Sequence, residues 1–291
     1  MSTGCNKWYL FTSPLEHVLS LNSPPKIHTQ VQARTSLLTH RYLLGQLIKR
    51  DVLLRYRGAM FGVAWVFLNP LIMLTIFAYV FGQIFQARWP QQETGAPFWL
   101  VLYSGLIAFN IFAEAVSRAP ASVRGTPSYV KKIIFPVEIL PLVPLGAALV
   151  HGAFNFLILL AALAWTGHLM PSVVLYPLML LPLLLLALGV SWFFAAWGVF
   201  IKDMSQIVPP FVQMLMFLSP VLYPASAVPE SLRPLYSYNP IGVVIESCRN
   251  AALGQTIDLQ NWGSGLIVGI AVALLGQAFF SHSREEFADA L

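Results

Sequence analysis

Apolar residues in this chain come in long runs rather than in alternation with polar ones. Six stretches, 63–86, 98–117, 137–166, 172–200, 207–223 and 262–281, hold few polar side chains. All except the fifth reach the ~20 residues a helix needs to cross about 30 Å of hydrocarbon. Only Glu114 and the edge residue Glu138 bring charge into them. Runs of this length predict an all-α membrane protein with six transmembrane helices. Prolines punctuate the pattern. Asn69-Pro70 predicts a kink in the first span, and Pro209-Pro210 with Ser219-Pro220 break the fifth near its two ends. A short turn near Gly167 and His168 makes spans three and four an antiparallel hairpin, and Gly265 and Gly269 permit close helix approach in the last span.

The stretches between the runs carry their own patterns. Residues 1–34 are weakly patterned and read as a cytoplasmic extension, and 35–291 as one membrane domain. Leu37, Leu44, Ile48 and Val52 recur at helical spacing among Arg34, Arg41, Lys49, Arg50, Arg55 and Arg57. This predicts an amphipathic helix in the headgroup layer, apolar side in lipid and cations near phosphates; a helix packed on protein is the alternative. In the connection 118–136, Ala119-Pro120 and Thr126-Pro127 bracket a short segment followed by Tyr129-Val130-Lys131-Lys132. A short helix there would project a basic surface away from the membrane. Residues 224–261 contain no full span. Ile241, Val244, Ile245, Cys248 and Ala252 form an apolar stripe, with Glu246, Arg249 and Asn250 assigned to the other side of a re-entrant or amphipathic element at the external surface.

Composition sharpens this picture. With 57% hydrophobic and 10% charged residues, the chain lies far from the soluble norm of about 25% charged. The net charge of +5 could suggest a nucleic-acid partner, but the cations flank apolar spans, as topology alone demands, so no nucleic acid is expected. With both termini on one side, fourteen Lys and Arg share that side, whereas only Arg88, Arg233 and Arg249 fall opposite. The positive-inside rule then places both termini in the cytoplasm. Cys5 and Cys248 would face opposite sides and could not bridge. Residues 1–36 lack the apolar core of a cleavable signal, which leaves the first span as the insertion signal.

The candidate chemistry is sparse. The twelve acids are scattered, with no working carboxylate pair and no metal-ligand spacing, and Gly is never followed by Lys, so the phosphate-cradling Gly-x4-Gly-Lys loop is missing. The chain is therefore expected to be no enzyme, to bind no metal or cofactor, and to take its energy from elsewhere. Glu114 and Arg118, four apart on one helix face, read as a structural ion pair. His151 and Asn155 read as helix glue rather than a proton relay, because no carboxylate within the membrane accompanies them. Trp65, Phe77, Tyr79, Phe81, Phe85, Trp89, Trp99 and Tyr103 suit either an interfacial belt or rings on which sugar faces stack.

A set of ordered blocks carries more. Lys49-Arg50-Asp51-Val52-Leu53-Leu54-Arg55-Tyr56-Arg57-Gly58 leads through Gly62-Val63-Ala64-Trp65 to Asn69-Pro70. Val130-Lys131-Lys132-Ile133-Ile134-Phe135-Pro136, Lys202-Asp203, Leu218-Ser219-Pro220-Val221-Leu222-Tyr223-Pro224 and Tyr238-Asn239-Pro240 follow. Together they resemble the ABC-2-type permeases that export polysaccharides, over about 35–291, and the Arg284-Glu285-Glu286-Phe287-Ala288-Asp289 tail is similar to that of O-antigen exporters. The resemblance implies a homodimer in the inner membrane joined to two copies of an ATP-binding subunit, with ATP and Mg held by that partner and a lipid-linked polysaccharide as cargo. It further implies an interface helix before the first span, a coupling helix over 119–132 presenting Tyr129, Val130, Lys131 and Lys132 to the ATPase, and external gate helices within 224–255. Tyr79, Phe85, Phe217 and Tyr223 would line the sugar path. Teichoic acid or capsular polysaccharide are alternative cargoes. A membrane-bound glycosyl- or phosphotransferase would need clustered acids, and a passive channel would need no docking element.

Overall fold

The computed structural model describes residues 40–84, 95–126, 135–224, 228–231 and 239–290, the side chains of 288 and 289 excepted. The chain divides into two units, Met1–Ser36 and Leu37–Leu291, and every described residue lies in the second. Among the described residues all regular structure is helical. Helix α1 (Arg41–Tyr56) precedes the first span, in which a 3-10 turn (Gly62–Ala64), α2 (Trp65–Phe77) and a π-helical stretch (Ala78–Ile84) run on without a break. Then come α3 (Phe98–Arg124), a 3-10 turn (Val137–Ile139) and α4 (Leu142–Trp165). The chain continues with a 3-10 turn (Pro171–Leu175), α5 (Tyr176–Met179), α6 (Leu181–Phe200), α7 (Met204–Leu218), α8 (Pro240–Leu253) and α9 (Leu259–Ser283). A 3-10 turn (Arg284–Glu286) and α10 (Phe287–Ala290) close it.

Five stretches are long and apolar enough to cross a membrane: Gly62–Ile84, Phe98–Arg124, Val137–Trp165, Pro171–Phe200 and Leu259–Glu286. The chain is a multi-pass membrane protein. The fifth of the six expected spans is instead the 15-residue α7, about 22 Å long at 1.5 Å per residue and shorter than the hydrocarbon layer. Helix α3 is the centre of the bundle and packs against α4, α6, α7 and α8. Buried residues make up 78% of its apolar window against 11% in the first span, so α3 is a core helix while the first span turns most of its side chains outward.

Pro70 lies inside α2, as the expected kink requires, and the helical register widens beyond it at 78–84. Two expectations change with the packing. Pro120 does not end α3, which runs on to Arg124 as one helix with the span. Gly198 of α6 approaches so closely that a methyl group there would strike the Pro120 carbonyl, and this contact holds the turn in which proline has removed a donor. The proposed segment 119–132 therefore begins as the end of the span, and Tyr129, Val130, Lys131 and Lys132 lie outside the described residues. Finally, α1 does not turn its apolar stripe to lipid. Leu47 is buried, Leu44, Ile48 and Val52 are half-buried, and Ile48 fits against Gly146 of α4. The small surface of that glycine gave the leucine-isoleucine face a protein partner.

The tightest helix crossing joins α6 and α9. A methyl group on Gly276 would run into the Gly189 carbonyl, and one on Gly269 would sit 2.6 Å from the Pro182 oxygen. Lipid offers apolar side chains no hydrophobic gain from leaving it, so close backbone approach supplies the dispersion energy of the pair. Gly265, also predicted to serve this purpose, has ordinary van der Waals room. At the same end of the bundle as Val123 and Val137, the fully buried Phe280 and Phe287 pack with Trp192 and Val199, and Arg284 pairs with Glu138. Replacing Gly276 by Ala should cost about 1–3 kcal/mol through overpacking. Thermal unfolding in detergent will read this as a lowered midpoint, whereas Gly263→Ala, with nothing within 4 Å, should show no loss.

Candidate functional site

The first group of interest lies where α1 meets α3 and α4. The pair anticipated between Glu114 and Arg118 stands at 3.5 Å, but neither residue has the other as its nearest partner. Arg118 Nη2 donates to Asp51 Oδ1 at 2.7 Å, reaching from α3 to α1. Arg55 Nη1 donates to Glu114, and His151 Nδ1 lies 2.9 Å from Glu114 Oε2. His151 Nε2 is 3.2 Å from the Tyr56 hydroxyl. Burial pushes the Tyr56 phenol above its usual range, the Glu114 charge adds to this, and Arg55 opposes it. One carboxylate on α3 thus gathers Arg55 of α1, Arg118 of its own helix and His151 of α4. The expectation that no carboxylate accompanies His151 is overturned, because the partner comes from a neighbouring helix. Asn155, read with His151 as a cross-helix pair, donates back to the His151 carbonyl at 2.8 Å. Its Oδ1 accepts from the Tyr103 hydroxyl at 3.0 Å. Tyr103, only 3% exposed, is therefore neither a belt residue nor a free ring, but a link from α3 to α4.

The second group lies at the other end of α3. Arg249, assigned by its spacing to the polar side of α8, is 1% exposed and the largest fully buried side chain. Its Nε donates to the Val101 carbonyl at 3.3 Å, and its Nη2 to the carbonyls of Pro220 and Val221 at 3.2 and 3.3 Å. Nη1 donates to Glu246 Oε2 at 2.5 Å. Gly105 makes the space, since a methyl group there would lie 2.8 Å from Nη2. Asn239 completes the arrangement. Its Oδ1 accepts from the Ile241 amide at 3.0 Å and caps α8, while its Nδ2 donates to Ser219 Oγ at 2.9 Å and the Leu218 carbonyl at 3.3 Å. The stretch Leu218–Val221, where Pro220 prevents continuation of α7, is clasped between two side chains of the α8 region. Sequence spacing held a clue, because Arg249 follows Ile241 and Ile245 at four-residue steps and so shares their face.

The candidate path residues are distributed. Tyr79 stands 62% exposed on the π-helical end of the first span, and Phe217 is 58% exposed on α7. The structure brings Tyr223 to Phe217, its hydroxyl donating to the Phe217 carbonyl at 2.6 Å. Phe85 lies outside the described residues.

Two measurements test these groups. In a double-mutant cycle on thermal stability, Glu114→Ala with His151→Ala should show a coupling of about 1–3 kcal/mol, as for a shielded charge-assisted bond. Asp51→Ala with Arg118→Ala should show less than about 1 kcal/mol, because Arg118 is solvent-screened. Arg249→Leu should destabilise the fold by about 3 kcal/mol or more, leaving the Pro220 and Val221 carbonyls without their donor and cutting the link to Val101, and Gly105→Leu should act in the same direction by displacing the guanidinium.

Residues 42–253 match the family described as ABC-2 type transporter. A permease protein of the O-antigen export system of Myxococcus xanthus, RfbA, is 27% identical over 263 residues, covering 88% of this chain and 97% of the relative. The corresponding protein of Klebsiella pneumoniae is 23% identical over 252 residues, 86% of this chain and 95% of its own length. The polysialic acid transport protein KpsM of Escherichia coli is 22% identical over 225 residues, 76% and 85% of the two chains.

Proposed function

This chain belongs to the ABC-2 type transporter family, and from that premise we propose that it is the membrane subunit of an ATP-driven exporter of polysaccharide. Its cargo is a lipid-linked O-antigen chain. The observation that carries this reading is the near end-to-end likeness to O-antigen export permeases, which covers 95–97% of their lengths. The likeness to a polysialic acid transporter supports a capsular polysaccharide as the second reading of the cargo.

In this reading the subunit sits in the inner membrane with both ends in the cytoplasm and works as a homodimer with two ATP-binding subunits. Two features of the bundle favour assembly. The first span is little buried within one chain, and α7 exposes Ile207, Phe211, Met214, Phe217 and Leu218 along its length. Tyr79, Phe85, Phe217 and Tyr223 are the rings on which sugar faces stack. Such stacking tolerates sliding, as a long polymer requires, because flat contacts have no strict register.

Force enters from the cytoplasmic side. Tyr129, Val130, Lys131 and Lys132 dock on the ATP-binding subunit, and α3 is continuous from the span into that connection. The Glu114 group transfers displacement of α3 to α1 and α4 through charge-assisted bonds. Replacing Tyr129, Val130, Lys131 and Lys132 by Ala should abolish glycan-stimulated ATP hydrolysis in the purified assembly by at least about tenfold. Folded yield and melting midpoint of the permease should stay unchanged. Full export by that variant would refute the docking assignment, and hydrolysis that no lipid-linked glycan stimulates would refute the cargo.

A further inference from the structure

The outward side of α1 carries a combination that its inward side does not explain. With Leu44, Leu47, Ile48 and Val52 turned to protein and Asp51 and Arg55 bonded to α3, the remaining face presents Gln46, Lys49, Arg50, Leu53, Leu54 and Arg57. Together with Tyr56, Gly62 and Val63 these residues line a cavity of about 540 Å³. Its shape follows from the backbone. Gly58 and Gly62 adopt φ of +88° and +50°, a region that side-chain-bearing residues avoid, and they fold the link so that Arg57 and Val63 face the same space. The nine lining residues include three cations and no carboxylate. Leu53, Leu54 and Val63 are about half exposed, and Val63 sits at the foot of the first span.

We infer that this cavity binds the phosphate headgroup of an anionic phospholipid of the cytoplasmic leaflet. Lys49 and Arg57 alone make the lining positive, which matches an anionic ligand. Both are cations that a phosphate can bond. Leucines beside the cations would be misplaced for a free, fully hydrated anion, whereas a lipid puts acyl chain against them and phosphate against the guanidinium and ammonium groups. The site rests on the inward placement of α1 given by the topology proposed above. It would anchor the element that bears the Asp51 and Arg55 links, so that the leaflet becomes the fixed frame against which α3 moves.

The test uses the full chain, purified in mild detergent with its ATP-binding partner and mixed with equal amounts of phosphatidylglycerol and phosphatidylcholine. Native mass spectrometry counts the lipid retained. The wild type should hold phosphatidylglycerol over phosphatidylcholine by about tenfold. The triple variant Lys49→Gln, Arg50→Gln, Arg57→Gln should fall below about twofold preference, while Arg124→Gln, outside the cavity, should keep the full preference. Equal retention of both lipids by the wild type, or an unaltered preference in the triple variant, would overturn the site. Release of the lipid by millimolar inorganic phosphate would overturn its lipid character. Because lipid retention is measured without transport, its failure leaves the export reading intact. Loss of glycan-stimulated hydrolysis with retention intact would instead count against that reading.

Discussion

Within hydrocarbon a polar group has only the protein to bond with, and the interior of this bundle is organised by that requirement. Helices satisfy most of their own backbone, but α7 ends at Leu218, two residues short of Pro220, and leaves terminal carbonyls that need other donors. Arg249 and Asn239 meet them, from either end of α8, and the space for the guanidinium is a missing side chain at Gly105. A buried arginine is costly, since burial opposes its charge. Here the charge is spread over Glu246 and the carbonyls of Val101, Pro220 and Val221, so that breaking the helix and burying the cation offset one another. Neither feature would be tolerable alone.

The same requirement acts at the other end of α3, where Glu114 carries a charge into an otherwise apolar helix. Its partners come from three helices, two of them outside its own, and they make a joint rather than a plain fastening. Bonds to Arg55 and Arg118, both more than a third exposed, can exchange with water as α1 shifts; the bond to His151 is shielded on both sides. A motion of α3 would therefore reach α4 rigidly and α1 with some slack. Tyr103 and Asn155 add a second polar link to the α3–α4 pairing further along.

Much of this was legible in the chain. Long apolar runs located five of the six expected spans, four of them to within a few residues, because crossing length is set by the membrane and does not depend on what the helix packs against. The features that depend on packing were not legible. Pro120 promised a helix end, and the close approach of Gly198 kept the helix going. The stripe on α1 was seen, but whether lipid or α4 covered it turned on Gly146, far away in sequence. The four-residue steps from Ile241 and Ile245 put Arg249 on the buried face, but the slot that accepts it is made by Gly105 on another helix. Similarly, the partner of His151 was judged from its own helix, whereas it sits on another. The pair Gly269 and Gly265 was a fair signal of close packing, yet the tightest point fell at Gly276 and Gly189, which no local motif joins.

The unequal burial of the helices has a consequence for how the subunit works. Buried Met204, Val208 and Val212 fix one side of α7 on α3, and Ile207, Phe211, Met214 and Leu218 repeat along the opposite side at helical spacing. The first span shows still less contact within the chain. Lipid could cover both surfaces, but a helix of 15 residues, shorter than the hydrocarbon layer, needs protein partners for any of its last carbonyls that face hydrocarbon. The clasp from α8 solves that problem from the inside and thereby frees the outward face of α7 from any structural duty. The aromatic and methionine side chains on that face take no part in the clasp. The end of α7 is therefore anchored by α8 independently of whatever covers Ile207, Phe211 and Met214 on its outward face.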